Sequence, residues 1–398
     1  MENRKPSILV LAIAAAAAVT GLAFVAPTLI LIKEHHGVTS NEAQLIITAY
    51  LVAISTAQIF WGPISEKFGR RPILLVGAFL YTVGAFLGSY DQTFFNLILF
   101  RFLQGLGAGA CLSMPRVMIT DFYSKTQAAG KLSLLLATMA IFPVLSVSLG
   151  GISGEKFGWQ FNFLVMFFFG ILILFGNILY APETIKSKID RLSFIRILVG
   201  IKSLFKNRTF LYLTTVSSVQ AAAFFSMAGF MPYQFKRLGA SPSEFGMWFA
   251  LTSLGYISGN ILSSRVSKKI ELEKISLFGC CWSFVAIFSM SLCLIESLSF
   301  PITLAMACFM YGFGNGLVIS NVVVLSLSSV EKENSGLANG LMGAMQMASG
   351  GLLGSLIIYV GGDERFFKAI FCLLILSFLS IVCCFSVYIK QSARFKKV

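Results

Sequence analysis

The sequence predicts an all-α membrane protein, with twelve transmembrane helices arranged as two six-helix pseudo-repeats. Three observations carry that prediction. Of 398 residues, 57% are hydrophobic and 12% charged, with 39 Phe, and the mean hydropathy is +0.82. Soluble domains average about 45–50% apolar and about 25% charged residues. Twelve apolar runs are long enough to cross a bilayer, which takes about 17–25 residues. Finally, Gly105-x-Gly107-x-Gly109 recurs as Gly312-x-Gly314-x-Gly316 at an offset of 207, and the same offset brings Ser113 to Ser320 and Lys125 to Lys332.

The first run, 7–31, follows Arg4 and Lys5 and looks like a signal peptide at its start. Its apolar stretch exceeds the ~7–15 residues of a signal core, so it reads as a retained span. His35 and His36 fall on the first outer loop. Runs 43–61 and 73–89 flank the basic turn Gly62–Pro72, in which Gly69 suits a tight bend and Pro72 the first position of a new helix. Basic turns of this kind sit on the cytoplasmic face.

Run 95–117 holds Arg101 about two turns inside apolar sequence, where an arginine is costly unless it meets a cavity or a partner. Arg101 and Gln104 are therefore cavity candidates, and so is Arg116, which follows Pro115. Runs 132–153 and 160–180 complete the half. The fifth contains Pro143, Gly150 and Gly151. The polar stretch Pro182–Arg208 then carries Lys186, Lys188, Arg191, Arg196, Lys202, Lys206 and Arg208, with apolar residues at near-helical spacing. It reads either as an interfacial amphipathic helix or as a solvated linker. Runs 210–233, 245–264, 275–295, 301–325, 336–359 and 366–389 form the second half, in which Ser241–Ser263 weakly repeats Ser40–Trp61 and sets Glu244 opposite Glu42. The domains expected are 1–184, a basic linker 185–208, and 209–398.

Alternating the loops places 23 Lys and Arg inside and six outside, so both termini are expected in the cytoplasm. The net charge of +14 is dispersed over short loops, which argues against nucleic acid as a partner. All eight Cys lie inside apolar runs, where they act as small hydrophobes, so neither a disulfide framework nor a metal site nor any cofactor is implied. No nucleophile–base constellation points to an enzyme. None of the 17 acidic residues falls in the middle of a predicted span. A cavity would instead be positive, and Tyr50, Gln58, Asn260, Asn315 and Gln346 could line it with uncharged polar groups, as could Asn162.

Several of these stretches resemble the major facilitator superfamily of secondary transporters. Gly62, Gly69, Arg70 and Arg71 match its G-x-x-x-D-R-x-G-R-R loop, with Glu66 and Lys67 as conservative replacements. The resemblance implies a conformational latch formed by Gly62, Glu66, Lys67, Gly69, Arg70 and Arg71, to which Asp121 could contribute. Arg101-x-x-Gln104-Gly105 resembles the fourth-helix motif, and Arg116 with Asp121 resembles the R-x-x-x-x-D of the bicyclomycin-resistance branch of drug:proton antiporters. The helix-five signature of that branch, P-x-L-G-P-x-L-G-G, is met at Pro143, Gly150 and Gly151 but departs at Ser146 and Val147. In the first span Gly21 and Pro27 remain, yet the usual acid is Ala23. Pro182-Glu183-Thr184 resembles the tag that closes the sixth helix.

The resemblance implies alternating access across an inner (plasma) membrane. The expected function is export of a small organic molecule by a monomer, with protons as the candidate coupling ion. The missing embedded carboxylate favours an anionic or neutral solute. The rival readings are a proton-coupled multidrug exporter, an uptake carrier for a carboxylate or siderophore, and a non-transporting receptor.

Overall fold

A computed structural model describes residues 5–90, 93–185, 194–331 and 334–395, and the regular structure among them is helical throughout. Arg4, Lys186, Lys188, Arg191 and Lys332 lie outside the described residues, as do the linker positions 186–193. The chain divides into two compact units, Met1–Ser193 and Phe194–Val398. The first contains α1 (Ile8–Ala23), α2 (Leu29–His36), α3 (Ser40–Phe68), α4 (Arg70–Gly88), α5 (Phe94–Phe122), α6 (Lys125–Phe157) and α7 (Trp159–Tyr180). The second contains α8 (Phe194–Lys206), α9 (Arg208–Arg237), α10 (Pro242–Val266), α11 (Leu272–Ser289), α12 (Pro301–Ser328), α13 (Ser335–Tyr359) and α14 (Phe366–Phe395).

Counting α1 and α2 together, eleven helices among the described residues are long and apolar enough to cross a membrane. The expected eighth span, α10, has the length but not the apolarity. The reason lies in its packing. Thr252, Gly255 and Gly259 form the face that meets α12, where small residues rather than large apolar ones allow the backbones to close.

Each unit repeats the other's internal packing. In the first, α5 packs against α1, α3 and α4, while α7 packs against α4 and α1, and α6 against α1. In the second, α12 packs against α9, α10 and α11, α14 against α11 and α9, and α13 against α9. The glycine triplets make this possible. A β-carbon at Gly105 or Gly109 would strike α3 and one at Gly107 would strike α4, whereas Gly312 and Gly316 abut α10 and Gly314 abuts α11. Each triplet thus lets one helix lie close between two others. The Glu42–Glu244 correspondence has a local cause: each closes a capping box, with Thr39 and with Ser241 respectively, at the start of equivalent helices.

The outer helix of each unit carries a bare apolar stripe at helical spacing. On α7 it is Phe168, Leu172, Phe175 and Leu179; on α14 it runs Phe367, Phe371, Ile375, Phe378, Val382, Phe385 and Ile389. Such surface is satisfied by lipid rather than by water. In α8, Ile201 and Leu204 pack with Phe210, Ala338 and Leu341, while Leu198, Val199 and Phe205 stay exposed.

Candidate functional site

The most densely bonded polar cluster surrounds the turn between α3 and α4. Gly69 has φ +111, a backbone region in which side chains are strained, and a β-carbon there would meet the Glu183 carboxylate. α4 begins at Arg70, so Pro72 is its third residue rather than its first. Gly69 offers no side chain to cap the helix. Glu183, 113 residues after Arg70, takes that role: its Oε1 accepts the Arg70 amide at 2.9 Å and its Oε2 the Arg71 amide at 3.3 Å. Oε1 also accepts the amides of Thr184 and Ile185 at 2.9 and 3.1 Å. A carboxylate at a helix start satisfies orphan donors and complements the helix dipole. Pro72, which lacks an N–H, is tolerated within that first turn.

The side chains extend the cluster. Arg70 donates from Nε to Asp121 Oδ2 at 2.9 Å, and from Nη1 to Ser65 Oγ at 2.5 Å and the Gly62 carbonyl at 3.3 Å. Arg71 Nη2 donates to the Ile178 carbonyl at 2.8 Å. Four helices, α3, α4, α5 and α7, are tied at this point. The expected contribution of Glu66 is absent: it is exposed and has no ion-pair or hydrogen-bond partner among the described residues. Gly62 and Ser65 face Arg70, and Glu66, one residue on, is turned about 100° away around the helix. Lys67 is exposed too, its Nζ 5.4 Å from the Phe68 ring.

A second polar cluster marks a break in the first span, which sequence reading took as one helix. α1 stops at Ala23, a 3-10 turn covers Ala26–Thr28, and α2 resumes at Leu29. Pro27 has no N–H to offer four residues back, which frees backbone carbonyls here. Asn162 Nδ2 donates to the Phe24 and Gly150 carbonyls, each at 2.9 Å, and Asn162 Oδ1 accepts from Ser153 Oγ at 2.5 Å. Gly150 lies against the Phe24 backbone, so this glycine of the helix-five motif lets α6 approach the break. Gly151 is buried beside it, and Pro143 lies within α6. Asn162 therefore spends its NH2 on backbone carbonyls and its oxygen on the Ser153 hydroxyl. His35 and His36 end α2 rather than a loop, their rings 5.6 and 5.5 Å from Trp159.

Arg101 occupies the interior of the first unit with 0% exposure. Its Nη1 donates to Gln104 Oε1 at 2.6 Å and its Nε to the Ile46 carbonyl at 3.3 Å, while Nη2 has no hydrogen-bond partner. The guanidinium lies 4.0 Å from the Tyr50 ring and 5.8 Å from that of Phe163. Desolvated cation–π contacts of this kind are worth about 2 kcal/mol. Tyr50 is itself pinned, its hydroxyl donating to the Ala17 and Ala18 carbonyls at 3.1 and 3.0 Å. Arg101, Gln104 and Tyr50, read as cavity candidates, offer no surface to a solute in this conformation.

The remaining candidates differ in how they are bonded. Asn315 Nδ2 donates to the Gln220 carbonyl at 3.0 Å and to Tyr311 Oη at 3.2 Å. Asn260 bonds the Tyr256 carbonyl and accepts from Ser320 Oγ, both at 2.9 Å. Gln58 Nε2 is buried without a partner, and the half-buried Gln346 amide makes no hydrogen bond among the described residues. Arg116 is half-buried beside Pro115 on α5. Among the described residues, no group of three His, Cys, Asp or Glu side chains is placed to hold a metal.

Sequence reasoning missed Glu183 as the α4 cap. The available signal was a helix start, Gly-Arg-Arg, with no side-chain acceptor at its N-cap, which leaves amides needing a partner from elsewhere.

The sequence profile described as Major Facilitator Superfamily matches residues 11–355, with a second match over 218–397. The bicyclomycin resistance protein homolog of Haemophilus influenzae is 25% identical over 340 residues, 83% of each chain. Multidrug resistance protein MdtL of Escherichia coli is 35% identical over 147 residues, 36% of this chain and 38% of its own. Among solved structures, a D-xylose–proton symporter superposes with a TM-score of 0.78 at 14% identity, covering 96% of both chains. The human organic anion transporter MFSD10 gives 0.70 at 14%, covering 96% of this chain and 98% of its own. These structures share the fold. With the paired six-helix packing, the lipid-suited stripes and the match across most of its length, this multi-pass membrane protein belongs to the Major Facilitator Superfamily of transporters.

Proposed function

We propose that the chain exports a small anionic or neutral organic molecule across an inner membrane by alternating access, as a monomer with both termini in the cytoplasm. The observation that carries the choice of solute is electrostatic. Among the described residues no carboxylate lies in the middle of a span, whereas α5 carries Arg101 about two turns inside its start and Arg116 toward its C-terminal end. An embedded acid is the usual partner of a cationic drug and the usual proton relay. With Arg101 enclosed, the half-buried Arg116 is the cation of the first unit that a solute would meet. The inside excess of Lys and Arg supports the orientation, and the resistance proteins among the relatives support export. The cluster at Arg70, Asp121 and Glu183 would act as the conformational latch. The Arg70 and Asp121 side chains are only 11% and 26% exposed, so their pair is screened less than a surface pair worth about 0–1 kcal/mol, and two nearly balanced states need little more to shift.

The relatives' names favour a second reading, a proton-coupled multidrug exporter. A thermal-shift screen of the purified protein separates the two, because a ligand that binds only the folded state raises its melting temperature. Stabilisation by organic anions, lost in Arg116→Gln, supports the proposal. Stabilisation by lipophilic cations, with proton release on their addition, supports the alternative.

A further inference from the structure

α8 is seated on the second unit by one face. Ile201 and Leu204 pack with Phe210, Ala338 and Leu341, and a β-carbon at Gly200 would touch the Leu337 side chain. At about 100° per residue, Leu198 and Phe205 fall on one line beside that face, and they are 65% and 45% exposed. Lys202 and Lys206 come next around the helix, both exposed, with the exposed Val199 on their far side. Ser203, exposed as well, lies farther round again. The open side of α8 is thus a pair of lysines one turn apart, set between apolar residues.

The start of α9 fixes the level at which this surface lies. Lys390 Nζ is 3.5 Å from Thr209 Oγ1. Lys390 directly follows Ile389, the last residue of the bare apolar stripe of α14. The junction of α8 and α9 therefore sits where hydrocarbon-facing surface ends and polar headgroups begin. Lys202, Lys206, Arg208 and Lys390 are all exposed, and among the described residues no ion pair joins any of them to a carboxylate.

We propose that α8 lies in the headgroup layer and that Lys202 and Lys206, with Arg208 and Lys390 beside the junction, hold acidic phospholipid. Leu198, Phe205 and Val199 dip toward the acyl chains, while the lysine stems run along apolar surface and carry their ammonium groups to the phosphates. Two observations select lipid over a soluble acidic partner. The surface lies level with the end of the lipid-facing stripe of α14. Its lysines are also flanked by bare Leu, Val and Phe side chains, which a bilayer covers and water does not. The inference is independent of the solute and of the direction of transport.

Two experiments on the full-length protein test it. In the first, nitroxide labels are placed by Phe205→Cys or Ser203→Cys in a background lacking the more accessible cysteines, Cys281 and Cys372, in nanodiscs containing phosphatidylglycerol. The label at position 205 should be relaxed by oxygen, which partitions into lipid, and the label at position 203 by a water-soluble nickel chelate. Equal access of the chelate to both would make α8 a solvated linker and overturn the proposal. In the second, native mass spectrometry compares retention of phosphatidylglycerol with that of phosphatidylcholine. The wild type should prefer the acidic lipid, and Lys202→Gln with Lys206→Gln should weaken that preference about 25-fold, or about fivefold per lysine. Retention of phosphatidylcholine and the melting temperature in detergent should stay unchanged. An undiminished preference in the double variant, or displacement of the lipid by equimolar glycerol phosphate, would overturn the proposal.

Discussion

Replacing Glu183 by Gln tests whether one carboxylate holds the start of α4 from 113 residues away. The amide keeps an oxygen for the Arg70, Thr184 and Ile185 amides, but it turns its NH2 toward the Arg71 amide, where Oε2 now accepts at 3.3 Å. Losing a cap interaction costs about 0.5–2 kcal/mol, and losing the negative charge at a helix start costs about 0.3–1 kcal/mol. Glu183 is half-buried, so solvent offsets part of both. The expected destabilisation is about 1–2 kcal/mol, a fall in melting temperature of about 2–4 °C. Gly69→Ala should cost more, since it combines a strained φ with a collision against the same carboxylate. The two effects should not add: in a Glu183→Ala background the collision vanishes and the glycine substitution becomes cheaper. Thermal unfolding of the four proteins in detergent completes the cycle. Additive costs, or an unchanged melting temperature for Glu183→Gln, would refute the cap.

Other outcomes follow from the same geometry. Asp121→Asn breaks the 2.9 Å pair with Arg70 and should raise the labelling of cysteines placed in the solute path from the cytoplasmic side; unchanged labelling would leave the turn with a purely topological role. Asn162→Leu strips the donor from the Phe24 and Gly150 carbonyls and should cost about 2–3 kcal/mol in thermal unfolding. For orientation, Lys268→Cys should react only with reagent supplied inside and Ser297→Cys only with reagent supplied outside, as membrane-impermeant maleimides will report.

What the sequence revealed and what it hid follow the range of each interaction. The glycine triplets were legible because their spacing and offset are written directly in the chain, and the packing they permit is helix against neighbouring helix. Glu42 and Glu244 were visible as a correspondence, although their capping role depends on a backbone turn three residues away. Pro27 was in plain view, but the apolar run continues across it, so the first span read as one unbroken helix. The capping role of Glu183 stayed hidden because its partners are distant in sequence, and Glu66 entered the expected latch only through its match to the loop motif. The charge of Arg101 was conspicuous, while its enclosure by Tyr50 and Phe163 depends on three helices that meet only in the fold.

The central claim is that the absence of an embedded carboxylate sets the charge of the solute. The most direct test is flux through purified protein in proteoliposomes, comparing a labelled organic anion with a permanently cationic dye. The account predicts anion flux that is abolished in Arg116→Gln and partly retained in Arg116→Lys, where the charge survives but the bidentate fork is lost. Robust transport of the cationic dye by the wild type, or full anion flux in Arg116→Gln, would contradict it.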